Sequence, residues 1–540
     1  MKFVAAALFV FFQLPGPELP EAPTRIAEDN KGRVFISVQE GEGREVYSWN
    51  GKRIEPALPA VVSAGLEVRT DGRRERRLTP QGIQFPGRLL DQHGNYWHLR
   101  DAGGEQVQLT ELVYVGPADP EADVPHVAVA TGRYDRLLTD DLGYVWMAGD
   151  DGILCFDPRN PEAKFTSPQQ VSALALSPFG TAMAAYPDGG LYELMPEKPD
   201  RVGRRRLQIK GLPDATPVDG MMSVSDGTIW IVTGGKVFRG RPTGGAWQRR
   251  WEPLPHLPFG NHGIRAATLG RDLYVVGGRA NHGYPAEPAF FDEILRYSSQ
   301  ESDWYMEGRL GTARAYSGLA ALDGNLWIVG GAVEREGKTV PTKDVTIFDP
   351  ATGETGPGPD LTRPRHGPVL VRAEERLYAI GGADKAGRAL GSVESIGPNE
   401  NHWTPEPGAP VRIRHSSGCE LGGKIYTFMG PDNFLRYDPQ KEQWVELPLP
   451  AGTQIPQAAL CAAHNGKVWL MGGFGTGNPR ATLLFDPANN DWDPGPSLPT
   501  PLAWGAAASV EGQLILAGGT YYSRTVDQYI FSDRAYRLRP

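Results

Sequence analysis

Leu273–Gly278 reads LYVVGG, an apolar, aromatic, apolar, apolar tetrad closed by a glycine doublet. The pattern returns as LWIVGG at Leu326–Gly331, LYAIGG at Leu377–Gly382 and VWLMGG at Val468–Gly473. Two variants complete the series, IYTFMG at Ile425–Gly430 and LILAGG at Leu514–Gly519. The closing glycines are 53, 51, 48, 43 and 46 residues apart, a period that marks a repeated supersecondary unit. A looser copy, IWIVTGG at Ile229–Gly235, lies 43 residues before the first and carries one extra residue, as a bulge does. A four-residue apolar run is a strand covered on both faces. The glycine doublet lets backbone crowd at its end, where side chains would clash.

Each unit carries a second aromatic downstream: Trp251, Trp304, Trp403, Trp444, Trp492 and, more loosely, Tyr536; the unit closing near Thr355 lacks one. Turn-forming Asp-Pro and Asn-Asn pairs precede several of them, as in RYDPQKEQW at Arg436–Trp444 and LFDPANNDW at Leu484–Trp492. Composition agrees with many short strands and tight turns. The chain has 540 residues, 67 of them Gly and 48 Pro, with 40% hydrophobic residues, which argues against helical bundles, doubly wound folds and disorder. Its 55 Lys and Arg against 64 Asp and Glu, a formal charge of -9, lack the basic excess of a phosphate-backbone binder, so nucleic acid is not an expected partner.

This arrangement resembles the kelch family of β-propellers over residues 219–540. The resemblance implies four-stranded blades set radially around a channel. The ring has six or seven blades, depending on whether the unit from Ile229 to Trp251 joins it. The first half repeats more weakly. DDLGYVWMAGDDGILCFDP at Asp140–Pro158 resembles the propeller repeats of two-component sensors, and Gly32, Gly94, Gly143, Gly180 and Gly227 mark looser relatives. Residues 25–218 therefore read as further propeller-like blades, with a degenerate one expected between Thr70 and Gly87. Thr139, Asp141, Gly143 and Trp146 also fit the Asp-box of sialidases, a structural turn. The fold class is all-β, a kelch-type propeller preceded by propeller-like blades.

MKFVAAALFVFF at Met1–Phe12 places Lys2 before an apolar run too short to span a membrane, the order of a secretory signal. Residues 1–20 are accordingly read as a signal peptide and the protein as secreted or periplasmic, with a cell-surface position open and no later membrane span. Cys155, Cys419 and Cys461 are too few for a disulfide framework. Cys419 and Cys461 fall in similar places of neighbouring repeats, but inner strands of adjacent blades usually splay, and the reading favours free thiols.

Propellers carry function on loops at the channel mouth. In the kelch resemblance the segments leading to each inner strand present Arg or His there. These are TARAYSG at Thr312–Gly318, RPRHG at Arg363–Gly367 and RIRHSSG at Arg412–Gly418, with His262 and Arg265 before the first inner strand. Arg314, Arg365, His366, Arg414, His415 and Trp504 are the candidate ligand-binding residues, because guanidinium forks pair with carboxylates and aromatic faces stack on sugars or cations. The competing reading makes the arginines caps on blade carbonyls. His262, His366 and His415 recur at near-equivalent positions, yet no carboxylate recurs beside them, so neither metal nor cofactor is expected. The expected function is recognition of a protein or an anionic glycan. The alternative is a sugar-active enzyme resembling the sialic-acid mutarotases, with Glu394 as base and Arg365 as anchor. A copper radical oxidase fits less well, since no Tyr-His dipeptide occurs. The long segments from Arg279 and from Ala332 are further candidates for partner contact.

Overall fold

The structure is a computed structural model that describes residues 8–20, 24–29, 33–40, 43–57, 66–69, 75–79, 82–84, 89–101, 110–116, 127–178, 180–197, 200–213, 217–224, 227–243, 251–283, 286–412, 414, 416–450, 452–475, 478–523 and 527–538. Every regular element among them is a β-strand. The chain forms two compact units. The second comprises residues 250–280, 288–522 and 531–540, and the first the remainder. The division falls after Arg249, not at the residue 218/219 boundary drawn from the repeats, because Ile229–Thr233 pairs within the first unit while Trp251–Leu254 pairs within the second.

The second unit is a closed ring of six four-stranded blades. Their inner strands, Ala266–Leu269, Gly318–Leu322, Val369–Ala373, Ser417–Leu421, Leu460–His464 and Ala506–Val510, neighbour one another in this order, and the last returns to the first. The quoted tetrads are the second strands, such as Asp272–Val276 and Asn325–Val329, buried on both faces as their composition requires. The sixth blade closes the ring by taking Trp251–Leu254 as its outer strand against Ala535–Leu538. Glycine doublets end the second strands in left-handed conformation, for example Gly277 and Gly278 at φ 60° and 112°. A β-carbon on Gly278 would fall 1.9 Å from Asn261 Oδ1, and one on Gly277 2.3 Å from the Arg314 carbonyl oxygen. No other residue fits there.

The downstream tryptophans are blade-to-blade latches. Trp304, Trp403, Trp444 and Trp492 each donate the indole N–H to a proline carbonyl that follows the preceding blade's outer strand: Pro255 at 2.9 Å, Pro359 at 2.8 Å, Pro407 at 3.0 Å and Pro448 at 2.9 Å. Trp251 does the same to Pro496 at 3.4 Å. In the second blade, which lacks the tryptophan, Thr355 Oγ1 donates to the Arg309 carbonyl at 3.3 Å. The buried Trp403 thus supplies both apolar area and a hydrogen bond. Trp403→Phe is expected to lower stability by about 1 kcal/mol and Trp403→Ala by about 3–5 kcal/mol, read as the shift of the ring's unfolding midpoint in urea.

In the first unit, inner strands Leu89–Leu90, Tyr134–Thr139, Ala173–Leu176, Gly220–Ser223, Thr24–Glu28 and Leu66–Arg69 follow one another as neighbours. The degenerate blade expected between Thr70 and Gly87 contributes strands Leu66–Arg69, Glu75–Thr79 and Gly82–Gln84, while Thr70–Arg74 and Gly87 lie outside the described residues. Its hairpins share one turn. Asp140 Oδ1 accepts the amides of Leu142 and Tyr144 at 3.0 and 2.9 Å, and Oδ2 accepts the Trp146 indole at 2.8 Å. Asp91 repeats this with His93, Asn95 and Trp97. Asp140, not Asp141, is therefore the residue of the box-like turn, and Gly94, Gly143, Gly180 and Gly227 hold its left-handed corner. The basic run Gly203–Arg206 lies in strand Arg201–Arg206, with Arg204 over the rings of Tyr186 and Tyr192 and Arg205 paired to Glu193.

The apolar N-terminal run is a strand of this unit. Leu8–Gln13 pairs antiparallel with Lys236–Thr243 and parallel with Gln208–Lys210. Phe9 and Phe11 are buried among Leu191, Ile229 and Ile231, and Leu14 and Leu19 pack on the adjoining core. Two glycines are shaped around Phe11: a β-carbon on Gly240 would meet its ring at 2.2 Å, and one on Gly211 its carbonyl oxygen at 2.1 Å. Cleavage near residue 20, as the signal reading requires, would remove this strand. No described helix is long and apolar enough to cross a membrane.

Candidate functional site

Ahead of five of the six inner strands the chain makes the same two moves. One residue bridges to the residue after the glycine doublet: His262 to Arg279, Ala315 to Ala332, His366 to Ala383, Gln457 to Phe474 and Ala503 to Thr520. The next residue is left-handed, at φ 68° in Gly263, 56° in Tyr316, 65° in Gly367, 56° in Ala458 and 56° in Trp504. These left-handed residues are joined by backbone hydrogen bonds around the channel. Tyr316 N donates to Gly263 O at 2.6 Å, Gly367 N to Tyr316 O at 2.7 Å, Trp504 N to Ala458 O at 3.0 Å and Gly263 N to Trp504 O at 2.8 Å. The belt narrows one end of the channel. Glycine is unstrained in that conformation, whereas a bulky aromatic is held there at a cost of order 1–3 kcal/mol, a pattern that clusters at functional sites.

Tyr316 and Trp504 put their rings in T-shaped contact at 4.8 Å, and Tyr316 lies edge-on to His366 at 6.2 Å. The Tyr316 hydroxyl meets His262 Nε2 at 3.1 Å, and His262 Nδ1 meets the Arg279 carbonyl. A carbonyl only accepts, so Nδ1 carries the proton and Nε2 accepts from the tyrosine. Burial lowers the His262 pKa to about 4. Below the belt, Arg265 reaches across the channel to the Ser416 carbonyl of the opposite blade at 3.2 Å and lies 5.8 Å from the Trp504 ring. Burial lowers its pKa to about 10, and among the described residues no carboxylate pairs with it. Arg265, Cys461 and small residues such as Ala266, Gly418 and Gly505 line the channel.

The sequence candidates divide here. His366 and Trp504 belong to the belt. Arg314 and Arg365 do not reach it as ligand arms. Both are buried between blades. Arg314 donates to the carbonyls of Gly330 and Asp344 and to Thr346 Oγ1. Arg365 donates to the carbonyls of Gly381 and Ser392, to Ser392 Oγ and to Glu394. Carbonyl capping is their role, and a guanidinium so engaged has no fork left for a ligand. The same burial removes Glu394 and Arg365 as an enzymatic base and anchor, with side chains 3% and 0% exposed. Arg414 is exposed on the rim, donating to the Gly387 carbonyl at 3.3 Å. His415 lies outside the described residues. The segments from Arg279 and Ala332 form β-hairpins, Arg279–His282 with Glu287–Phe290 and Ala332–Arg335 with Lys338–Pro341. No group of three or more metal-ligating side chains occurs among the described residues.

Tyr316 and Arg265 stand in the segments that the sequence places at the mouth, but neither is among the six candidate ligand-binding residues. A signal for Tyr316 was available: aligned on the glycine doublets, the belt position reads Gly263, Tyr316, Gly367, His415, Ala458, Trp504, and two large aromatics stand where two repeats use glycine.

His262 makes stability pH-dependent. Its folded pKa, about 4, lies below the unfolded value of about 6.5, so below pH 6.5 the unfolded chain takes up a proton that the folded chain refuses. Stability therefore falls as pH drops from about 6.5 towards 4, by roughly 3 kcal/mol at the acid end. His366 and His464 are shifted the same way by burial. Melting temperatures of wild type and His262→Gln between pH 7 and 4.5 check this: the variant should lose less on acidification.

No family model matches the sequence. Kelch-like protein 25 of Xenopus tropicalis is 26% identical over 258 residues, covering 46% of this chain and 43% of its own. Alpha-scruin of Limulus polyphemus is 28% identical over 258 residues, covering 44% and 28%. Kelch-like protein 35 of Mus musculus is 26% identical over 257 residues, covering 46% and 42%. The chain thus spans less than half the length of these curated relatives. The solved structure of YjhT aligns over 52% of this chain and 95% of its own, at 15% identity and a TM-score of 0.44. With six blades in a closed ring and glycine doublets at the repeat period, the C-terminal part of the chain is a β-propeller of kelch-type repeats, similar to the kelch-like proteins and scruin.

Proposed function

We propose that the C-terminal propeller is a protein-binding module whose belt and channel neck take a carboxylate presented by the partner. The observation that carries this is the pairing of two strained aromatics, Tyr316 and Trp504, with a guanidinium, Arg265, that no described carboxylate neutralises. A carboxylate entering past the belt would meet the Arg265 charge in a water-poor neck, where such a pair is strong. The flanking peptide would lie on the rings of Tyr316 and Trp504, with Arg414 at the rim adding long-range attraction. An acidic side chain of a protein and a sugar acid of a glycan present the same group. The kelch-like and scruin relatives favour the protein, and a glycan is the alternative source.

The test is an array of acidic peptides, their Glu→Gln and Asp→Asn counterparts, and anionic and neutral glycans. Acidic peptides should be captured at least tenfold more tightly than their amide forms, with affinity falling as salt rises, and Arg265→Met should abolish the preference while Trp504→Ala weakens both forms. Capture of anionic glycans alone would move the ligand to that class. Equal capture of acidic and amide forms would overturn the reading.

A further inference from the structure

Two neighbouring inner strands carry cysteines for which the carboxylate site has no use. Cys419 lies in inner strand Ser417–Leu421 of the fourth blade and Cys461 in inner strand Leu460–His464 of the fifth, and these strands are neighbours in the ring. Both residues are half-buried and free, and both pack on one inter-blade core with Phe428, Phe434 and Phe485. They approach this one core from adjacent blades. Cys461 lines the open channel, with Arg265 beside it. At the position of Cys419 other inner strands carry Ala267, Ala320 and Ala508, so the repeat packs with a small apolar side chain there and does not need a thiol. Cys155 contrasts with both, being wholly buried in the first unit.

We propose that Cys419 and Cys461 form a channel-wall dithiol which a small organic disulfide entering the channel oxidises to an intramolecular disulfide, linking the fourth and fifth blades. Cys461, which lines the channel, reacts first. Its thiolate attacks one sulfur of the reagent RSSR, forming a mixed disulfide and expelling RS⁻, which takes up the proton Cys461 released. The Cys419 thiolate then attacks the Cys461 sulfur, forming the Cys419–Cys461 bond and expelling the second RS⁻, which takes up the proton from Cys419. The protein loses two electrons and two protons, and the reagent leaves as two thiols RSH. Burial raises the Cys461 thiol and Arg265 acts in the opposite direction, so the first step quickens as pH rises. This site stands independently of the carboxylate reading.

The experiment treats the folded full-length chain with 2,2′-dithiodipyridine or oxidised glutathione. Intact mass and a non-reducing peptide map are then read before and after dithiothreitol. Wild type should lose both channel thiols, retain no reagent adduct, yield one cross-linked peptide joining Cys419 to Cys461, and return to the starting mass on reduction. Cys155 should stay unreacted. Cys419→Ser should stop at the mixed disulfide and keep the adduct on Cys461. Wild type that holds separate adducts on the two cysteines, or that reacts at neither while folded, would overturn the proposal. The wild-type map decides this whether or not the serine variant folds.

Discussion

Deletion of residues 1–20 is expected to unfold the N-terminal unit while the kelch ring keeps its own transition. The deleted segment contains the outer strand Leu8–Gln13, paired on both sides, and it buries Phe9 and Phe11 completely or nearly so. Removing one buried phenylalanine side chain costs about 3–5 kcal/mol, and a domain's whole stability is about 5–15 kcal/mol. Loss of both rings, about 6–10 kcal/mol, together with two strand pairings is therefore comparable to the whole stability of such a unit. Phe11→Ala is the milder form, expected to cost about 3–5 kcal/mol because Gly211 and Gly240 have left a cavity that nothing else fills. Calorimetry of the full chain and of the deletion checks this. Two transitions of unchanged midpoint in the deletion would show the strand to be dispensable and return the run to its reading as an export signal. Retention of the segment in the mature protein, read by intact mass, is the companion observation.

Arg365→Ala and Glu394→Ala should each destabilise the ring by about 3–5 kcal/mol, because each leaves its partner as an uncompensated buried charge. The pair is closed from solvent, and Glu394 also accepts the Thr362 amide at 2.9 Å. Arg365→Ala carries the further penalty of orphaning the carbonyls of Gly381 and Ser392. The double variant should cost clearly less than the sum of the singles, which a double-mutant cycle in urea reads directly. Additive losses would mean that the two charges do not act as a pair.

The fold was legible where a residue type has one physical use. Glycine doublets announced positive φ and crowded backbone, and that is where Gly277 and Gly278 stand. The periodic tryptophans announced packing, though their proline carbonyl partners one blade away are invisible to periodicity. The repeat from Ile229 to Trp251 misled because its two ends serve different units at an unbroken period. The N-terminal run was legible only in part: Phe3–Phe12 has the composition of a signal core, while the partners of Leu8–Gln13 in the sheet, Gln208–Lys210 and Lys236–Thr243, lie some two hundred residues away and leave no local trace. For the proposed site, residue type located the mouth segments, but which arginine faces the channel is decided by the fold. Arg314 and Arg365 satisfy blade carbonyls, while Arg265, at an inner-strand position where other blades place Gly318 or Ala506, faces the channel.

In the proposed site Arg265 is kept for a ligand, while Arg314 and Arg365 serve the scaffold. The direct measurement is a paired one, melting temperature and acidic-peptide affinity for Arg265→Met and Arg314→Met side by side. Arg265→Met should keep or raise the melting temperature, since it removes a buried unpaired charge, and lose affinity at least tenfold. Arg314→Met should melt markedly lower, yet bind with unchanged affinity in its folded state. Affinity lost in the Arg314 variant and preserved in the Arg265 variant would contradict the account.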